Sequence, residues 1–340
     1  MATTPVHVLI TVAFPEPLVS LLREISPRLR LTVHPARRPE EVPPDLWAQA
    51  EVLYTDSVLP TPERAPNLRW VQVHYAGMDH LLNAPLLQKP EVQFTTLSGA
   101  AASQVAEHAV MMMLALGHHL PEVFALQRRA EWPGDRWERL APLELRESTV
   151  GIVGYGSVGR EIARLLHPFG VTVLATKRDV MHPEDEGYTR PGLGDPSGDL
   201  FTRLYPIQAL TSMLRGCDFV VICLPLTPAT RGIINAEALA AMKRTAYLVD
   251  VSRGGVVDSA ALLQALQERR IAGAALDVFP EEPLPADSPF WKLPNVIITP
   301  HIAGISRYYL QRAVELFAEN LRRYLAGGVL LNRYQGQWGY

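Results

Sequence analysis

The stretch Thr149-Val150-Gly151-Ile152-Val153-Gly154-Tyr155-Gly156-Ser157-Val158-Gly159-Arg160 decides the reading of this chain. Its first five residues are a short apolar run of the kind that forms a buried strand, and the residues that follow Gly159, REIARLL, read as helix. Between strand and helix lies a GxGxxG pattern. There Gly154 makes the tight turn, Gly156 lets the backbone approach a pyrophosphate, and Gly159 lets the helix pack on the strand. The helix N-terminus beside them favours phosphate charge. Together they predict a dinucleotide site.

On the carboxyl side the rhythm continues with VTVLA (171–175), DFVVICL (218–224), helix INAEALAAM (234–242), AYLVDV (246–251), helix SAALLQALQER (259–269), GAALDV (273–278) and VIITP (296–300). Strands alternating with helices over this length predict a doubly wound parallel sheet of six strands. On the amino side VHVLITV, LRLTVH, AEVLYTD, LRWVQVHYAG and VQFTTL, separated by Pro-rich turns and a helical stretch at 17–25, predict a second parallel α/β unit. Residues 103–120 read as one buried helix capped by Ser103, with Met111, Met112 and Met113 as core packing. The Pro- and Gly-rich segment 179–205 reads as a surface loop, long for a βαβ connection. A final amphipathic helix at 307–325 leads to Gly327, Gly328 and an aromatic tail.

A length of 340 residues fits about two domains. The net charge of −3 gives no drive toward nucleic acid or anionic membrane, so neither is expected as a partner. Two cysteines, Cys217 and Cys223, form neither a disulfide framework nor a metal cluster, which fits a reducing cytoplasm. The start, MATTPVHVLITVAF, has no basic leader, so export is not expected. The apolar helix at 105–116 carries Glu107 and His108 and falls short of the roughly 20 residues of a bilayer span.

The residue just past the second strand of the glycine-loop unit decides between the two nicotinamide dinucleotides. An acid there accepts from the ribose hydroxyls, whereas a cation takes the 2′-phosphate. After VTVLA come Thr176-Lys177-Arg178-Asp179, so Lys177 and Arg178 favour NADP(H). If the strand runs two residues longer, Asp179 takes the acidic role and NAD(H) is the cofactor.

Three further segments end predicted strands: Val251-Ser252-Arg253-Gly254-Gly255-Val256-Val257-Asp258, Leu276-Asp277-Val278-Phe279-Pro280-Glu281-Glu282-Pro283-Leu284, and Thr299-Pro300-His301-Ile302-Ala303-Gly304. With the glycine fingerprint, VAEH at 105–108 and LPLTP at 224–228, they make a chain that, over residues 70–325, resembles the D-isomer-specific 2-hydroxyacid dehydrogenase family, relatives of glyoxylate/hydroxypyruvate reductase and phosphoglycerate dehydrogenase. The resemblance implies a catalytic trio of Arg253, Glu282 and His301. Reduction of a 2-keto acid puts negative charge on the keto oxygen, which needs a proton donor and a fixed cation. His301 is the implied donor, with Glu282 favouring the imidazolium, and Arg253 pairs with the substrate carboxylate. Glu282 rather than Glu281 is selected because the family's acid directly precedes the proline. Formate dehydrogenases carry an amide there, so formate is not the expected substrate.

The segment Val73-His74-Tyr75-Ala76-Gly77-Met78-Asp79 resembles the family's substrate loop, which implies carboxylate binding by the amides of Ala76 and Gly77 and a pocket lined by Tyr75. His74, His118 and His119 read as structural. Implied cofactor contacts are Gly154, Gly156, Ser157, Val158 and Gly159 at the pyrophosphate, Lys177 and Arg178 at the ribose, Leu224 and Pro225 under the adenosine, and Val251, Ser252, Asp277, His301 and Gly304 around the nicotinamide. Cys223 and Asp250 depart from the His and Asn common at their positions.

The expectation is therefore a two-domain α/β enzyme. Residues 1–102 and 307–340 make a flavodoxin-like substrate domain, residues 103–306 a Rossmann-like NAD(P) domain, and the active site lies in the cleft between them. The family implies a homodimer and a small 2-keto or 2-hydroxy acid as substrate. A dinucleotide-sensing corepressor of the same fold is the alternative; a methyltransferase leaves the Arg, Glu and His motifs unexplained.

Overall fold

A computed structural model describes residues 4–185 and 187–336, so the last residues of the aromatic tail, 337–340, lie outside the described residues. The chain divides into two compact units, Met1–Ala101 with Ser306–Tyr340, and Ala102–Ile305.

The first unit holds a five-stranded parallel sheet. Its strands are β1 (Val6–Ile10), β2 (Leu29–Val33), β3 (Val52–Thr55), β4 (Trp70–Val73) and β5 (Gln93–Thr95), in the order β2-β1-β3-β4-β5. That is the flavodoxin-like order. Strands β3 and β4 are buried at every position, as strands covered on both faces must be. The helix Tyr309–Leu325 belongs to this unit and buries Val314, Leu316, Phe317 and Leu321. Phe317 packs edge-on to Tyr54 of β3.

The second unit holds seven parallel strands: β6 (Thr149–Val153), β7 (Thr172–Lys177), β8 (Arg203–Pro206), β9 (Phe219–Ile222), β10 (Tyr247–Asp250), β11 (Gly273–Leu276) and β12 (Val296–Ile298). Their order, β12-β11-β10-β9-β6-β7-β8, reverses direction between β6 and β9. Period-2 alternation sends Val220, Ile222, Leu248, Ala274 and Leu276 into a core shared with the helices Leu210–Leu214, Ala236–Ala241 and Ser259–Gln267. The helix Ser157–Leu166 packs against Ala102–Gly117, and a Cβ added at Gly159 would sit 2.9 Å from Ile152 Cγ2, on the sheet's other face.

Three local expectations are corrected. The sheet has seven strands, not six, because residues 203–206 of the expected loop form β8. Four residues that begin with Arg and end with Pro carry too little apolar pattern to read alone, and pairing with β7 makes them a strand. Strand β7 runs to Lys177, two residues past the expected end. The helix expected at 103–120 starts at Ala102, so Ser103 lies inside its first turn, and ends at Gly117; His119 takes a left-handed conformation before a second helix, Leu120–Arg129.

Among the described residues no single helix is long and apolar enough to cross a membrane, and no group of His, Cys, Asp or Glu could hold a metal.

Candidate active site

The register of the second sheet explains why motifs far apart in sequence share one edge. Thr176, Val153, Ile222, Asp250, Leu276 and Ile298 are paired in turn across β7, β6, β9, β10, β11 and β12. Five motif segments start just beyond that row: Gly154 after Val153, Leu224 and Pro225 after Ile222, Val251 to Arg253 after Asp250, Asp277 after Leu276, and Thr299 to Gly304 after Ile298. This is the carboxyl edge of the strands, where open α/β sheets bind ligands, and the glycine loop sits at the reversal point between β6 and β9.

The glycine loop fits a dinucleotide. Gly154 has φ +109°, the left-handed region that only glycine enters cheaply, and a Cβ there would lie 3.0 Å from Cys223 O and Leu224 Cδ2. A Cβ added at Gly159 would meet Gly154 O at 2.2 Å, so helix and loop touch backbone to backbone. At Gly156 an added Cβ meets no heavy atom within 4 Å, which leaves a cradle beside the helix start. Gly156 is also the N-cap of Ser157–Leu166 and supplies no side-chain cap, so a phosphate can take that place. Thr176 Oγ1 accepts from Gly154 N at 3.1 Å, and Tyr155 N donates to Thr176 O at 2.8 Å, binding the loop to the tip of β7.

Lys177, the last residue of β7, donates from Nζ to the carbonyls of His182 and Glu184, the latter at 2.9 Å, and burial lowers its pKa. Arg178 is the first residue beyond the strand. The Asp179 carboxylate accepts from Met181 N at 3.0 Å and lies 2.7 Å from His182 Nδ1, so it is engaged within its own turn.

The Arg253 turn and the Glu282 turn are pressed together: a Cβ at Gly254 would lie 1.9 Å from Phe279 O. Arg253 Nη1 donates to Ser252 O at 2.9 Å. Below it Asp250 is buried, accepting from Ser252 N at 3.0 Å and Ser252 Oγ at 2.5 Å, and burial raises its carboxyl to a pKa of about 7. Neighbouring Cys223, pushed up to about 12 by burial, remains a thiol and lies 3.0 Å from Gly154 O.

His301 and Glu282 form a pair, Nδ1 to Oε2 at 2.7 Å, and the other carboxylate oxygen, Oε1, accepts from Phe279 N at 2.9 Å. Both oxygens of Glu282 are thus occupied. His301 has φ 51°, an uncommon backbone state for a residue with a Cβ. The turn is imposed from below: Asp277 Oδ1 accepts from Thr299 Oγ1 at 2.5 Å and Ile302 N at 2.9 Å, Asp277 Oδ2 accepts from Ala303 N at 3.0 Å, and His301 N donates to Asp277 O at 2.9 Å. His108 Nε2 lies 3.2 Å from Thr299 Oγ1, giving the VAEH motif a partner. Asp277 therefore holds the histidine turn, a task its place in the motif did not announce. Gly304 O accepts from Gln104 Nε2 at 2.9 Å, and a Cβ at Gly304 would meet nothing within 4 Å.

Tyr75, Ala76 and Gly77 belong to the other unit, directly past β4, where Tyr75 and Ala76 are exposed and Gly77 is half-buried. Behind them His74 Nδ1 lies 2.6 Å from Tyr54 Oη, and burial lowers its pKa to about 4, so the ring is neutral and structural. Residues the motifs did not single out but the geometry brings in are Thr176, Thr299 and Asp195, whose side chain accepts from Tyr155 Oη at 2.7 Å. A short polar residue at a strand tip was the only local signal for the first two.

Residues 110–303 match the model of the family described as D-isomer specific 2-hydroxyacid dehydrogenase, NAD binding domain. A glyoxylate reductase of Thermofilum pendens is 36% identical over 267 residues, covering 78% of this chain and 74% of that protein. A glycerate dehydrogenase of Methylorubrum extorquens is 33% identical over 273 residues, covering 78% and 79%. Among solved structures, a D-isomer specific 2-hydroxyacid dehydrogenase of Xanthobacter autotrophicus in complex with NADPH and MES superposes with a TM-score of 0.79 at 31% identity, covering 99% of this chain and 100% of that one. An NADPH-dependent glyoxylate/hydroxypyruvate reductase of Sinorhizobium meliloti, in complex with NADP and sulfate, gives 0.76 at 26%, covering 98% and 100%. With its fingerprint, its strand-end motifs and these likenesses in agreement, the chain belongs to the D-isomer specific 2-hydroxyacid dehydrogenase family, NAD(P)-dependent oxidoreductases acting on a CH–OH group.

Proposed function

We propose that this protein reduces a small 2-keto acid to the D-2-hydroxy acid with NADPH, using His301 as proton donor. The observation that carries the reading is the His301–Glu282 pair at 2.7 Å with both Glu282 oxygens engaged. A carboxylate only accepts, so Nδ1 carries hydrogen and Nε2 is the nitrogen that exchanges a proton with substrate. Reduced nicotinamide, when bound, supplies the hydride to the keto carbon. The chain's residues do the rest: His301 Nε2 gives its proton to the keto oxygen, Arg253 binds the substrate carboxylate and polarises that oxygen, and Glu282 fixes the His301 ring through Nδ1. In the reverse direction His301 takes the proton from the hydroxyl. Ala76, Gly77 and Tyr75 keep the substrate-binding role that the family resemblance implies.

Gly154, Gly156, Ser157, Val158 and Gly159 would hold the pyrophosphate, Leu224 and Pro225 the adenosine, and Val251, Ser252, Asp277 and Gly304 the nicotinamide side. Strand β7 does run the two residues further that were expected to give Asp179 the acidic role, but that carboxylate is spent on Met181 N and His182, and NADPH is favoured over NADH because Lys177 and Arg178 stand at the strand tip. The two structural relatives with NADPH or NADP bound support the same choice. We further propose a cytoplasmic homodimer. Trp132 and Trp137 are 85% and 77% exposed, large apolar surfaces that a second copy would cover.

The test follows the absorbance of NADPH and of NADH with glyoxylate, hydroxypyruvate, pyruvate and bulkier 2-keto acids, for the parent and for His301→Ala. Turnover with NADPH that falls roughly 10²- to 10⁴-fold in the variant is expected. Absence of turnover with every acid overturns the enzyme reading, and preference for NADH overturns the cofactor assignment.

A further inference from the structure

The crossover from β7 to β8, residues 178–185 and 187–202, contains no helix where a βαβ unit normally has one. It is nonetheless built, and its anchors come from the glycine-loop region. Arg160, directly after the third fingerprint glycine, is 1% exposed and donates to the carbonyls of Asp195, Pro183 and Glu184. Tyr155, inside the fingerprint, donates from Oη to Asp195 Oδ2 at 2.7 Å, and its ring lies under the Arg160 guanidinium at 4.9 Å. Asp195 in turn accepts from the amides of Gly198, Asp199 and Leu200, each at 3.1 Å. Glu161 accepts from Gly194 N at 2.6 Å. The segment is therefore tied to the phosphate-binding turn at several points.

One carbonyl joins these anchors to the cofactor-selecting position. Glu184 O accepts from Arg160 Nη2 at 3.1 Å and from Lys177 Nζ at 2.9 Å. Two cations converge there, with the Asp185 carboxylate 3.7 Å from Arg160 Nε as the counter-charge nearest to Arg160 among the described residues. Glu184 O and His182 O together take two of the three N–H donors of Lys177 and leave one. A lysine held this way has lost most of its rotamer freedom before any anion arrives, which is the condition for tight and selective anion binding.

We propose that the β7–β8 segment, locked by Tyr155, Arg160 and Asp195, pre-positions Lys177 for the 2′-phosphate and so sets the preference for NADP(H). Tyr155, Arg160 and Asp195 are positioning residues. They act through Lys177 and do not touch the dinucleotide themselves. The proposal rests on the NADP(H) assignment above.

Calorimetric titration of NADP⁺ and of NAD⁺ into the full-length protein tests it without turnover. The variants are Tyr155→Phe, which removes one hydrogen bond, Asp195→Asn, Lys177→Met, and Tyr155→Phe combined with Lys177→Met. In the parent NADP⁺ binds more tightly. Lys177→Met and Tyr155→Phe each lower the NADP⁺ to NAD⁺ affinity ratio by roughly tenfold or less, in the range expected for losing one pre-ordered side chain. In the Lys177→Met background Tyr155→Phe has no further effect on the ratio, the coupling expected if it works through that lysine. Equal weakening of both dinucleotides, or an unchanged ratio, overturns the proposal and leaves the segment a structural brace. A parent that prefers NAD⁺ overturns the NADP(H) assignment itself, and is read from the parent alone. Should Asp195→Asn fail to fold, Tyr155→Phe decides.

Discussion

His301 Nδ1 stands 2.7 Å from Glu282 Oε2, while Glu282 Oε1 is held by Phe279 N at 2.9 Å, so the acid cannot turn without giving up a backbone hydrogen bond. The pair is 43% and 36% exposed, reachable by substrate yet fixed from behind. Replacement of Glu282 by Gln keeps the size and the acceptor for Phe279 but puts an amide, with no negative charge, against His301 Nδ1. Reduction of the 2-keto acid at saturating substrate is expected to slow by about 10- to 100-fold, below the loss in His301→Ala, with dinucleotide affinity unchanged. Steady-state kinetics with calorimetry of cofactor binding check it. Full activity in Glu282→Gln would remove the acid from the mechanism.

Gly156 and Gly159 separate binding from folding. A methyl at Gly156 meets nothing within 4 Å and requires no positive φ, so Gly156→Ala should melt close to the parent but bind dinucleotide at least tenfold more weakly, because the methyl fills the cradle. Gly159→Ala drives a Cβ to 2.2 Å from Gly154 O and should cost about 1–3 kcal/mol of stability. Thermal melting and ligand titration on the two variants must move in opposite order.

Asp277 holds the left-handed turn of His301 through Thr299 Oγ1, Ile302 N and Ala303 N. Asn cannot accept at both positions, so Asp277→Asn leaves a backbone N–H unpaired, at a cost of about 1–3 kcal/mol. The turn then relaxes and kcat falls while the protein remains folded. Thr299→Val removes one of the three bonds and should show a smaller loss in the same assay. A normal kcat in Asp277→Asn would show that the turn holds itself.

Asp250 carries a pH dependence of unusual sign. Burial, opposed by the Ser252 hydrogen bonds and reinforced by Asp277, raises its pKa from 3.8 to about 7. The folded protein thus keeps a proton that the unfolded chain releases between about pH 4 and 7, and stability falls as pH rises through that window. At about 1.4 kcal/mol per unit the loss is complete above pH 7 and amounts to at most about 4 kcal/mol. Asp250→Asn keeps an acceptor for Ser252 without the charge. It should melt higher than the parent at pH 8 and alike near pH 4; equal shifts at both would refute the assignment.

Local chemistry made much of this protein legible before folding. A β-branched run, three glycines and a helix starting with Ser157 specify the phosphate-binding turn, because φ preference and helix N-terminal charge act over a few residues. The alternation in β1 to β5 and in the strands from β6 to β12 other than β8 likewise announced two parallel α/β units, and EEP and TPH singled out the Glu282 and His301 that the structure pairs. What only tertiary structure decided lies in pairings over long sequence separation. β8 is a strand only because β7 offers it an edge, and the extra length of β7 moved Lys177 onto the strand and left Asp179 to its own turn. The register across β7, β6, β9, β10, β11 and β12 gathers the motifs at one edge. Asp277 reaches Ile302 and Ala303, and Asp195 reaches Tyr155, across intervals in which no local periodicity operates, since such contacts depend on which loops the sheet brings together.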